Sequence, residues 1–137
     1  MSAIQKIPMS KRQIILDTET TGLYAEGGDR LVEFASLEMI NRQITGNNLH
    51  LYVHPERDMP EEAAKVHGLT IEVLEEKNAP PFAEVGGQIA NFIRDAELII
   101  HNAKFDVGFL NMEFRRMGLP SIEELGCTVT DPLAMAR

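Results

Sequence analysis

The stretch Gln13–Gly22, which reads QIILDTETTG, decides the fold of this chain. Three apolar residues run into Asp17, a second carboxylate follows two positions later at Glu19, and a Thr-Thr-Gly turn ends the run. The pattern predicts a buried strand with both acids on one face, because alternate side chains of a strand share a face. Hard cations relieve the repulsion and lost hydration of such a pair, so it indicates a magnesium or manganese site. Two solvated acids in a turn are the alternative.

Composition limits the class of protein. The 137 residues are 44 % hydrophobic and 25 % charged, which fits one globular domain, expected over residues 13–137 after a flexible tail at 1–12. Cys127 is the only cysteine, which excludes an internal disulfide and fits a cytoplasmic location. No run approaches the ~20 apolar residues of a membrane span, so we expect no membrane insertion. The net charge of -8 argues against electrostatic wrapping of nucleic acid, but not against an enzyme that grips only a chain end.

Hydrophobic patterns predict strands and helices in alternation after this first strand. Strands are expected at 31–40, 49–54 and 98–100. Helices are expected at 60–68, 82–93, 105–117 and from 132 onward. The strands at 31–40 and 49–54 are expected to pair as antiparallel neighbours. Asp131 before Pro132 is a helix cap, and Asp106, taken alone, is a first-turn acid favoured by the helix dipole.

Two ordered signatures point to a family. Asp17–Gly22 (DTETTG) and His101–Asp106 (HNAKFD), each after a short apolar run, resemble the first two signatures of the DEDD exonuclease superfamily. The segments Gly46–Val53 and Val66–Gly68 resemble its epsilon-like proofreading branch. The resemblance implies an α/β fold of the ribonuclease H-like type, with a mixed sheet flanked by helices. It also implies removal of nucleotides from a 3′ end.

The same resemblance implies two divalent cations, Mg²⁺ or Mn²⁺, and assigns roles by motif position. Asp17 would bridge both ions, Glu19 would bind one and touch the terminal sugar, and Asp106 would hold the second. Thr18 and Thr20 would lend backbone contacts to the terminal nucleotide.

Two further residues match substrate-contacting positions of the epsilon-like proteins. Glu62 and His67 lie in the segment expected to form a short helix, where an ordinary surface helix is the alternative interpretation. The partners implied are the 3′ end of single-stranded or frayed DNA and, for the complete protein, the catalytic subunit of DNA polymerase III.

The chain also departs from the family pattern. The third signature places a general-base histidine five residues before a fourth carboxylate, but His101 is the last of the four histidines here. We therefore expect the last helices of the fold to be missing and this polypeptide alone to be weakly active or inactive, since a missing proton acceptor costs ~10²–10⁴ in rate.

Three alternatives remain open at this point. One is an exoribonuclease of the same superfamily, although the segment Gly46–Asn48 favours the DNA branch. Another is a noncatalytic module that binds a polymerase or a nucleic-acid end. A third is a metal-dependent phosphohydrolase of free nucleotides, which fits the acids but not the two ordered signatures.

Overall fold

The strand predicted for QIILDTETTG is the central strand of the sheet in this computed structural model, which describes residues 11–135. The strand, β1, runs Arg12–Thr20, and its side chains are buried and more exposed in alternation from Ile14 onward. It begins at Arg12 because that guanidinium donates to Glu38 Oε2 and to the carbonyl of Phe92, both at 2.6 Å. Arg12 therefore belongs to the sheet and not to the expected tail, whose first ten residues lie outside the described part.

The sheet is mixed. Its strands are β1 (Arg12–Thr20), β2 (Leu31–Ile40), β3 (Gln43–Ile44), β4 (Leu49–Tyr52), β5 (Glu97–Ile99) and β6 (Thr128–Thr130). Among the described residues the order is β3-β2-β1-β5-β6, and β4 also pairs with β2. The β1–β2 and β2–β4 pairs are antiparallel, whereas the β1–β5 and β5–β6 pairs are parallel. The predicted pairing of the strands at 31–40 and 49–54 is confirmed.

The helices of the described chain lie between β4 and β5, between β5 and β6, and after β6. They are α1 (Glu61–His67), α2 (Ile71–Glu76), α3 (Phe82–Ile93), α4 (Ala103–Arg116) and α5 (Pro132–Met135), with a 3-10 turn at Ala25–Gly27. Gly68 ends α1 in the left-handed region at φ 75°, as its position after the last turn predicted. No helix within residues 11–135 combines the length and the apolar composition that crossing a membrane requires.

The main core lies between one face of the sheet and the helices α3 and α4. Ile14 and Leu16 of β1 pack there with Ile89 of α3 and with Leu110 and Phe114 of α4. On the opposite face Ile15 and Leu37 stay 39 % and 40 % exposed. The sheet therefore presents Asp17 and Glu19 on its less covered side.

Three local differences from the sequence-based expectation have physical reasons. The strand β6 was not expected, because three residues give no periodic signal and its partner β5 defines it. The helix α2 was not expected either, although Thr70 accepts a hydrogen bond from the Val73 amide and caps it. The helix α4 begins at Ala103 and not at 105, because the carboxylate of Asp131 accepts the Asn102 and Ala103 amides at 3.3 and 2.9 Å.

Candidate active site

The end of β1 presents two carboxylates on one face. Thr18 and Thr20 are buried on the core side, while Asp17 is exposed and Glu19 is half-buried on the other side. The structure thus places Asp17 and Glu19 on a shared face, the arrangement expected for alternate residues of a strand.

A third acid reaches β1 from the helix α4. Asp106 is only 4 % exposed, and its Oδ2 accepts the backbone amide of Thr18 at 3.1 Å. Burial and, next, the negative charge of Asp17 raise the pKa of Asp106 from 3.8 to about 7, with a smaller contribution from Glu19. The pKa of Glu19 is also raised, by burial and then by Asp17. The structure therefore brings the three acids together closely enough for their charges to oppose one another.

The chemistry of these residues fits a divalent cation. Among the described residues, no Lys, Arg or His forms an ion pair with Asp17, Glu19 or Asp106. The Thr18 Oγ1 beside them is buried without a hydrogen-bond partner. Carboxylates are hard oxygen donors of the kind that Mg²⁺ and Mn²⁺ prefer, and these three have no ion-pair partner in the described part of the chain. In residues 11–135, however, no three acidic, histidine or cysteine side chains converge into a ready-made ligand cluster.

The predicted substrate residues on β1 are engaged within the protein. The amide of Thr18 is bound to Asp106, and the Oγ1 of Thr20 donates to the Gly22 carbonyl at 2.6 Å. The carbonyl of Thr20 lies 3.0 Å from Nε2 of His67. A nucleotide contact by Thr18 or Thr20 therefore uses other atoms of these residues, or displaces these bonds.

His67 stands beside the acids. Its Nδ1 accepts the Leu69 amide at 3.0 Å, so Nε2 carries the proton and donates to Thr20. Its proximity opposes the rise in the pKa of Glu19. Glu62 is exposed on the same helix, α1, and lines a cleft of about 410 Å³ together with Leu23.

A second cleft lies between the loop that follows β1 and the helix α4. It has a volume of about 610 Å³, and its lining includes the side chains of Leu23, Tyr24, Lys104 and Phe105. Leu23 and Tyr24 are 71 % and 72 % exposed, so two large, mainly apolar side chains lie open to solvent at the edge of this cleft. The sequence interpretation missed these residues. The available signal was two large apolar residues in a loop rich in glycine and acids.

Glu33 was missed as well, and His50 was expected on an exposed strand face without a ligand role. The register places Glu33 opposite Glu19 and His50 in one row with Asp17, across Ala35. His50 Nε2 lies 2.5 Å from Glu33 Oε2, and Glu33 contributes to the raised pKa of Glu19. The imidazole therefore shares the face of the candidate acids, in a groove of about 370 Å³ that Asp17 also lines. Glu33 and Ala35 are alternate residues of β2, so the sequence places both on one face of that strand. This becomes informative only once the pairing of β2 with β1 and β4 is known.

Comparison with known proteins assigns the class. The chain belongs to the exonuclease family (RNase_T), whose model matches residues 14–132. The predicted resemblance is thereby confirmed.

Individual relatives carry a more specific name than the family does. The chain is 49 % identical over 130 residues to the DNA polymerase III subunit epsilon of Pasteurella multocida, covering 92 % of this chain and 51 % of that protein. It is 46 % identical over 132 residues to the same subunit of Escherichia coli, covering 92 % and 53 %. The chain thus spans about half the length of the curated relatives it matches.

Solved structures agree on the fold. A product-bound exonuclease I superposes with a TM-score of 0.82 at 17 % identity, covering 93 % of this chain and 31 % of that one. E. coli exonuclease I in complex with a dT13 oligonucleotide superposes with a TM-score of 0.80, covering 92 % and 29 %. The predicted ribonuclease H-like α/β fold is confirmed.

Proposed function

We propose that this chain carries the nuclease domain of a 3′-5′ DNA exonuclease that acts in proofreading. The observation that supports it most is that burial and the charge of Asp17 raise the pKa values of Glu19 and Asp106, while these three acids, among the described residues, form no ion pair with Lys, Arg or His. Relatives named as epsilon subunits of DNA polymerase III favour DNA as substrate. The catalytic subunit of that polymerase, as partner of the complete protein, and a cytoplasmic location are parts of this proposal.

Exonuclease domains of this family generally use divalent metal ions. In this proposal two ions, Mg²⁺ or Mn²⁺, would be held by Asp17, Glu19 and Asp106, with Asp17 shared between them. When bound, such a pair supplies an activated water and stabilises the leaving 3′ oxygen. The low dielectric around buried Asp106 makes this electrostatic contribution larger than it would be in water.

The protein's own side chains would orient the terminal nucleotide. Glu62, which is exposed, and His67, both on α1, are proposed to contact it, His67 by giving up its bond to the Thr20 carbonyl. The exposed ring of Tyr24 and the partly exposed ring of Phe105 line the second cleft and offer aromatic surfaces on which unpaired bases could stack. Stacking tolerates any base, so this arrangement suits an enzyme that removes whichever nucleotide is terminal.

The proton acceptor is a separate question. No histidine follows His101 in this sequence, and a general base contributes ~10²–10⁴ in rate. We therefore expect the 137-residue polypeptide to cleave slowly or not at all, while it retains Asp17-dependent binding of Mn²⁺.

Two measurements test the function. Titration calorimetry with Mn²⁺ should show binding by the unaltered chain, a loss of binding in Asp17→Ala, and no change in Glu84→Ala. Glu84 is the matched control, because it is an exposed acid on α3, which packs on the other face of the sheet. Binding that is absent or independent of Asp17 would contradict the proposal and favour a noncatalytic module.

The second measurement uses single strands labelled at the 5′ end, with Mn²⁺ present. Whatever cleavage occurs should be slow and should give a ladder that shortens one nucleotide at a time from the 3′ end, and Asp17→Ala should abolish it in any active form of the protein. Faster shortening of RNA than of DNA would favour the exoribonuclease alternative. Cleavage at the rate of a complete enzyme would contradict the expected weak activity.

A further inference from the structure

A second buried carboxylate follows Asp106 on the same face of α4. Glu113 lies seven residues after Asp106, about two helical turns or ~10 Å along the axis, and is only 1 % exposed. Each of the two acids accepts a backbone amide from a different strand. Asp106 accepts from Thr18 of β1, and Glu113 accepts from Leu31 of β2, both at 3.1 Å. The helix is thus attached to two neighbouring strands at two points.

Arg30 completes the attachment through Glu113. Its guanidinium donates two parallel hydrogen bonds to the Glu113 carboxylate, at 2.9 and 2.8 Å. Arg30 is itself tied to the residue that follows β1, since the Thr21 amide donates to its carbonyl at 2.8 Å and its own amide donates to Thr21 Oγ1 at 3.0 Å. One continuous chain of bonds therefore connects the end of β1, next to Glu19, with the helix that carries Asp106.

We propose that Arg30 and Glu113 are positioning residues that set the place of Asp106 against the carboxylates of β1. This inference rests on the proposed function. Neither residue touches the acids of the candidate site, so both act through the helix. A guanidinium with two parallel bonds fixes both the distance and the rotation of its partner, which a single ammonium cannot do.

The chain provides a matched control. Arg12 and Glu38 form another largely buried pair, with 2.6 Å between Nε and Oε2, and Glu38 is 5 % exposed. Arg12 lies five residues before Asp17 on β1, about 17 Å away in an extended strand. If both pairs only stabilise the fold, breaking either pair should affect the site to a similar extent. If Arg30 and Glu113 position Asp106, only breaking the Arg30–Glu113 pair should affect the site.

The experiment compares Arg30→Lys and Glu113→Gln with Arg12→Lys, in the full 137-residue chain. Amide hydrogen exchange followed by NMR reports on Thr18, whose N–H is bound to Asp106. Exchange at Thr18 should become at least about tenfold faster in the first two variants, relative to the other β1 amides, and stay unchanged in Arg12→Lys. Mn²⁺ affinity, measured by calorimetry, should fall about tenfold in the same two variants only.

Both variants are chosen so that the protein still folds. Arg30→Lys keeps the positive charge, and Glu113→Gln keeps the shape of the side chain and an acceptor for the Leu31 amide. Equal effects in all three variants, or unchanged Thr18 exchange and Mn²⁺ affinity in Arg30→Lys and Glu113→Gln, would overturn the inference while leaving the proposed function intact. No Mn²⁺ binding by the unaltered chain would refute the proposed function and the positioning role together.

Discussion

Replacing Asp106 by asparagine should stabilise the metal-free protein, and the gain should grow with pH. Asp106 is 4 % exposed, and burial followed by the negative charge of Asp17 raises its pKa from 3.8 to about 7. The folded state thus holds the proton more tightly than the unfolded state does. Stability from the protonated carboxyl is fully present below about pH 4 and is lost as the pH rises to about 7.

The magnitude follows from the size of this rise. One pKa unit corresponds to about 1.4 kcal/mol, so the full penalty above pH 7 is about 4 kcal/mol, and at pH 5 it is about 2 kcal/mol. Asparagine carries no charge and keeps a carbonyl oxygen for the Thr18 amide. The free energy of unfolding of Asp106→Asn relative to the unaltered chain should therefore increase by about 2–3 kcal/mol between pH 5 and pH 8.

Urea unfolding with a chelator, at pH 5 and pH 8, measures this difference. The control is Asp58→Asn, because the Asp58 side chain is 82 % exposed and its replacement should change stability by less than about 0.5 kcal/mol at either pH. Addition of Mn²⁺ should stabilise the unaltered chain more than Asp106→Asn, since a ligand of the folded state stabilises by mass action. An Asp106→Asn variant that is no more stable at pH 8 would refute the reasoning, as would a gain independent of pH.

Three other substitutions test the packing of α3 and the start of α4. In α3, Gly86→Ala should lower the free energy of unfolding in urea by about 1–3 kcal/mol, because the new methyl group would overlap Met117. Gly87→Ala should raise it by about 0.5–1 kcal/mol, since no atom lies within 4 Å of the new methyl group. A change of the same sign in both variants would contradict this packing. Asp131→Ala should lower the melting temperature, because it removes the acceptor of the Ala103 amide. This loss should become smaller on acidification, since hydrogen bonds from the Ala103 amide and from other amides lower the pKa of Asp131. A loss that stays constant down to pH 3 would argue against the capping role.

Local sequence patterns were enough to predict the structure wherever it depends on the regular spacing of side chains along a strand or helix. The alternation along β1 placed Asp17 and Glu19 on one face, because strand geometry has a period of two regardless of what surrounds it. The glycine stop after α1 was predictable for a similar reason, since only the local backbone conformation matters at φ 75°.

Contacts between distant parts of the chain could not be interpreted this way. Asp131 was expected to cap the helix that follows it, yet it also accepts the amides of Asn102 and Ala103 at the start of α4, which lie 29 and 28 positions earlier. Glu113 looks like an ordinary surface acid of a helix, but it is buried against Arg30, 83 positions away. The proximity of Asp106 to β1 was expected only from the family resemblance, because no local pattern relates residues 88 positions apart.

The amino-acid sequence by itself determined the strand that carries two of the acids, the order of most helices and strands, and membership of the exonuclease family. Only the tertiary structure decided that Asp106 is buried against the Thr18 amide, that Glu33 and His50 share the open face, and that Arg30 joins α4 to the end of β1. The physical reason is that secondary structure depends on neighbours along the chain. Burial, and with it the raised pKa of Asp106, depends on which segments the sheet and its register bring together.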